Sequence, residues 1–112
     1  MERLEKFRNA IIEILNSHKQ GNYTEKVDVE TQIWIDKEND HYQLLCIGWE
    51  DDEQIYFTIM HFDIKGDKIW IQRNTSDIPV DLELLKLGIS KEDIVLGLQP
   101  PSYRKFTEYA VA

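Results

Sequence analysis

The chain has 112 residues, 21 of them acidic and 13 basic, for a formal net charge of -8 at neutral pH. That length fits one domain, residues 1–112, and its 42% hydrophobic and 11% aromatic content excludes a disordered chain. The acidity excludes an unaided nucleic-acid binder, because such binding is driven by Lys and Arg on phosphates and no basic patch stands out along the sequence.

The single cysteine, Cys46, precludes an internal disulfide and sits in the apolar run Leu44 to Ile47, as a buried thiol in a reducing compartment would. The charged start, Met1 to Lys6, lacks a secretory core, and no stretch approaches the roughly 20 apolar residues of a membrane span. The expectation is a cytoplasmic protein without membrane contact.

Leu4, Phe7, Ile11, Ile14, Leu15 and His18 recur at helical spacing, which predicts an amphipathic helix ending near Gly21. The period then falls to two. Val27, Val29, Thr31, Ile33 and Ile35 alternate with Asp28, Glu30, Gln32 and Trp34, the pattern of a half-buried strand. A loop, Asp36 to Asp40, leads into a second strand, His41 to Trp49, which the acidic turn Glu50, Asp51, Asp52, Glu53 ends. A third run, Gln54 to Ile64, and a fourth, Lys68 to Arg73, flank the hairpin-length loop Lys65 to Asp67. Four consecutive strands with short polar connections predict an antiparallel meander with the helix on one face, an α+β fold.

Pro79 is placed to open a helix that runs through Leu87 and stops at Gly88. Ser90 to Asp93 has the form of a capping box for a second short helix through Ile94, Val95 and Leu96. Pro100 and Pro101 are expected to end regular structure, and the spacing of Tyr103, Phe106 and Tyr109 predicts a helical turn packed on the body.

His18, His41 and His61 fall on a helix and two strands with no ligand pair at i and i+4, so the sequence predicts no metal site and no cofactor. His41 and His61 read instead as hydrogen-bonded strand residues that can be neighbours across the sheet. Cys46 and His41 fail as a nucleophilic pair, because residues five apart on a strand point to opposite faces roughly 16 Å apart along it, and only cross-strand pairing of Cys46 with His61 could rescue the idea. Asp63 and Lys65, two apart at a strand end, have the arrangement of a magnesium-dependent nuclease, with Asp51 or Asp52 as the upstream acid. An Asp and a Lys beside Gly66 and Asp67 are equally what a hairpin contains, and that reading weighs more.

The tryptophans are more informative. Trp34 is out of phase with the apolar positions of its strand, and Trp70 and Gln72 share the face opposite Ile69 and Ile71. That second face is therefore either covered or a binding surface.

Several strings occur together: Asp40 to Leu45, Gly48-Trp49, His61 to Ile64, Lys68 to Gln72, Glu92 to Gly97, and the ending Phe106 to Ala112. In this order and spacing they resemble the XisI family, the fdxN element excision controlling factors of cyanobacteria, over essentially the whole chain. The resemblance implies a role in site-specific excision of a DNA element during heterocyst development, beside a recombinase and a companion, XisH, that looks nuclease-related. It brings no catalytic residues.

Two hypotheses follow. The first is a non-enzymatic regulator that binds an XisH-like protein, in the manner of an accessory factor or an antitoxin-like inhibitor. It would meet DNA only within a complex, and an exposed sheet face or edge would also suit a homodimer. Its partner-binding residues would be Trp34, Trp70, Gln72 and the cluster Glu50, Asp51, Asp52 and Glu53. Asp40, His41, His61, Asp63, Arg104 and Glu108 are further polar positions to test, of which Asp40, Asp63 and Arg104 also suit turn caps or salt bridges. The second hypothesis is the small nuclease using Asp63 and Lys65.

Overall fold

The Glu2 side chain accepts a hydrogen bond from the Leu4 amide and caps the first helix, α1 (Arg3–His18). The computed structural model describes residues 2–25 and 28–112. Phe7, Ala10, Ile11, Ile14 and Leu15 form the buried stripe of α1. Each large apolar side chain buried this way contributes roughly 1.5–3 kcal/mol, so packing rather than helix propensity fixes the element.

The stripe packs on a sheet built in chain order from β1 (Val29–Asp36), β2 (His41–Glu50), β3 (Glu53–Lys65) and β4 (Lys68–Asn74), each antiparallel to the one before. The predicted meander is therefore present. Its expected opening residue, Val27, lies outside the described residues. Tyr42, Leu44, Met60, Phe62, Ile64, Ile69 and Ile71 face α1 and form the core with it. The second helix, α2 (Val80–Lys86), closes the same side through Val80 and Leu84.

The last third departs from the sequence reading. Instead of a second helix, Lys91–Asp93 make one 3₁₀ turn, and Ile94–Val95 form β5, parallel to β4. Ile94 pairs with Ile69 and Val95 with Trp70, so two β-branched residues complete the free edge of the sheet. The sheet thus has five strands among the described residues. Pro101 does not end structure but opens α3 (Pro101–Arg104), where its missing N–H costs nothing. Of the expected aromatic triplet only Tyr109 packs against the core, whereas Tyr103 and Phe106 are exposed.

Among the described residues two register shifts interrupt the ladders, between Leu44 and Leu45 and between His61 and Phe62. At the second, His61 pairs with Arg73 and Phe62 with Ile71, so Gln72 is an extra residue on β4. No helix among the described residues is long and apolar enough to cross a membrane.

Candidate functional site

The sheet face opposite α1 carries the predicted polar and aromatic residues. Its rows follow from the register. Trp34, Gln43 and His61 lie side by side on β1, β2 and β3, and the next row holds His41, Asp63 and Trp70 on β2, β3 and β4. Alternation puts all of them out of the core, as the phase of Trp34 and Trp70 predicts.

Asp63 is the centre of this arrangement. Its Oδ1 accepts from Nδ1 of His41 and from Nε2 of His61, both at 2.8 Å, and its Oδ2 accepts from the Gln72 amide at 3.1 Å. The bulge that makes Gln72 an extra residue lets its side chain reach a carboxylate one row away. Burial raises the proton affinity of Asp63, but the three donated hydrogen bonds outweigh it and hold the carboxyl below its ordinary range. The same contact lifts His41 above the ordinary imidazole value. The Asp63 side chain is 14% exposed and that of His41 56%, so the cluster opens to solvent on the His41 side.

Two of the three histidines are thus brought together. His18 does stay apart, bound to Glu83 of α2 at 2.7 Å, but antiparallel pairing places His41 opposite Asp63, and a two-residue spacing puts His61 on the same face. His41 and His61 are hydrogen-bonded strand residues, as expected, through a carboxylate they share.

Trp70 carries two cations against its ring, with Nζ of Lys65 4.0 Å and Cζ of Arg104 5.1 Å from its ring centroid. Arg104 also donates to the carbonyls of Leu96, Gly97 and Gln99, which holds the C-terminal segment folded on itself, and the Leu98 amide donates to the Ile71 carbonyl, which ties that segment to β4. Gly97 makes that approach possible. A Cβ there would lie 2.3 Å from Oε1 of Gln72 and 3.1 Å from Trp70. The second face is consequently covered at β4 and open toward β1, where Trp34 is 47% exposed.

The remaining sequence candidates fall elsewhere. Asp40 accepts from Arg8 and from the Tyr42 hydroxyl, a structural clamp between α1 and the β1–β2 turn. Glu108 is exposed and pairs with Lys91. Glu50, Asp51, Asp52 and Glu53 form an exposed acidic tip at the β2–β3 turn. Beside that tip on the same face stand Trp49, 55% exposed, and Tyr56, 54% exposed. Tyr56 was not singled out from sequence, although its register opposite Ile47 continues the alternation that carries Trp34 and Trp49.

The geometry bears on both catalytic ideas. Cys46 is buried in the core, and its partner on β3 is Phe57 rather than His61. Asp51 and Asp52 precede β3 while Asp63 lies near its end, so roughly 30–35 Å of strand separates them and neither can be the upstream acid for Asp63. Lys65 is turned onto Trp70.

The model of the family described as XisI protein matches residues 1–111. The crystal structure of a XisI-like protein from Anabaena variabilis superposes with a TM-score of 0.90 at 40% identity, covering 97% of this chain and 99% of that one. The crystal structure of the fdxN element excision controlling factor XisI from the same organism gives a TM-score of 0.86 at 31% identity, covering 99% and 100%. A comparison with curated proteins finds no match.

Proposed function

This chain belongs to the XisI family, and from that premise we propose that it is a regulatory factor in the excision of a DNA element, acting by binding a protein partner of XisH type. The observation that carries the reading is the composition of the open sheet face. Exposed Trp34, Trp49 and Tyr56 stand on it, and the acidic tip Glu50 to Glu53 borders it. Half-exposed aromatics are the residues that anchor protein interfaces, and an acidic rim attracts a basic partner surface while repelling bare phosphate. Within a complex the acidic tip would cover a basic, DNA-binding region of the partner, and the protein would influence excision through that contact.

Co-expression with the XisH-type companion and co-purification test this reading. A complex weakened at least tenfold by Trp34→Ala, Trp49→Ala or neutralisation of the acidic tip supports it. Absence of a complex, or one indifferent to all of these changes, overturns it. Tight, salt-sensitive DNA binding by the isolated protein would reverse the proposed order of contacts.

A further inference from the structure

The side chains His41, His61 and Asp63 form a cluster that neither the family resemblance nor the partner reading accounts for. We propose that they are the protein ligands of a divalent transition-metal site, with Zn²⁺ the best-suited ion. The site is independent of the partner proposal.

Three observations carry it. First, the donor atoms converge: one ligand atom from each residue lies within 4.8 Å of the others, and both ring nitrogens are 2.8 Å from the same carboxylate oxygen. Ligands around a tetrahedral ion with bonds of about 2.0–2.1 Å are spaced a little over 3 Å apart, so small ring rotations open the cluster to receive one. Second, the group is built as metal sites are. The oxygen of Asp63 that the histidines leave free is held by Gln72, which fixes the carboxylate plane from outside the ligand set. Third, there is an entry path, since His41 is the exposed member and its ring can swing without disturbing the core.

The donor set selects the class of ion. Two imidazoles and one carboxylate suit Zn²⁺, Co²⁺ or Ni²⁺, whereas Mg²⁺ prefers an all-oxygen shell. On binding, each nitrogen that donates to Asp63 in the free protein gives up its proton, to the other ring nitrogen or to solvent, and turns its lone pair to the metal. Three protein ligands leave at least one position on the solvent side for water.

The test uses the untagged, full-length protein titrated with Zn²⁺ and with Co²⁺, whose visible absorption reports coordination, with Mg²⁺ as the control. The expected result is one equivalent of Zn²⁺ and matching Co²⁺ absorption bands. Both should be lost in His41→Ala and in Asp63→Asn, and weakened about 10- to 100-fold in Gln72→Ala, as for loss of an outer-shell partner. His41→Ala is the decisive variant because the side chain is exposed and its removal leaves the core intact. Failure of the wild type to take up Zn²⁺ or Co²⁺ stoichiometrically overturns the proposal. So does uptake that survives His41→Ala and disappears in His18→Ala, which would assign the ion to the α1–α2 contact.

Discussion

Arg8 on α1 holds Asp40, the last residue of the β1–β2 turn, through two hydrogen bonds of 2.8 and 3.1 Å. Asp40 sits at a φ of 59°, a conformation that Asp tolerates better than most residues, and also accepts from the Tyr42 hydroxyl at 2.7 Å. Helix, turn and second strand thus meet at one carboxylate beneath the row that begins with His41. Tyr42 is fully buried, so Tyr42→Phe removes a hydrogen bond to a charged acceptor with little change of shape. The expected cost is about 1.5–3 kcal/mol, read as a lower urea midpoint at unchanged slope.

Acid should weaken the same clamp. The Arg8 contact holds Asp40 below the ordinary carboxylate value, so its contribution is fully present above about pH 4 and is lost as pH falls through the lower folded value. Urea denaturation at stepped pH should therefore show a shallower acid-side loss for Asp40→Asn than for the parent. Equal slopes would mean that the clamp contributes nothing to acid stability.

Gly97 decides how closely the C-terminal segment lies on Trp70. In Gly97→Ala the new methyl meets the Gln72 amide, which can move only by leaving Asp63. The expected loss is about 1–3 kcal/mol, with faster amide exchange across β5 and the C-terminal segment and a changed Trp70 environment. Unaltered exchange there would show that the segment has room to spare.

Gly48 is placed against backbone instead of a side chain. A Cβ would lie 2.2 Å from the Asp28 carbonyl oxygen and 2.6 Å from Cα of Val29, where nothing can rotate away. Gly48→Ala is expected to cost about 1–3 kcal/mol and to raise amide exchange along β1, while protection in β3 and β4 changes little.

Trp34 and Trp49 are about half exposed, so their truncation should leave the fold intact, with a stability change of about 1 kcal/mol or less. Partner affinity should fall by tenfold or more for the same variants. A large loss of stability without any loss of binding would return these tryptophans to a packing role.

Much of the fold was legible because it rests on periodicity. The 3.6-residue recurrence of Phe7, Ile11 and Ile14 and the two-residue alternation around Ile69 are properties of neighbouring residues, and burial of one face follows from either, whereas in the edge strand β1 the same alternation leaves Ile33 only partly buried and Ile35 41% exposed. The same phase argument put Trp34, Trp70 and Gln72 on the second face. Local pattern failed at Ile94 and Val95, where the capping-box expectation of a helix was overridden by the unpaired edge of β4, a partner some 25 residues away that such a pattern cannot register.

The candidate site shows the division most clearly. Sequence alone determined that His61 and Asp63 share a face, since they are two apart on one strand. It could not place His41 opposite Asp63 or bring Gln72 onto the other carboxylate oxygen, because those contacts depend on the pairing register of β2 with β3 and on an extra residue in β4. Register is settled by the packing of the whole buried face against α1, and a slip of one residue in any of these strands would turn that strand's members of the cluster into the core. The tertiary structure therefore made a four-residue cluster from groups that stand up to 31 positions apart in the chain.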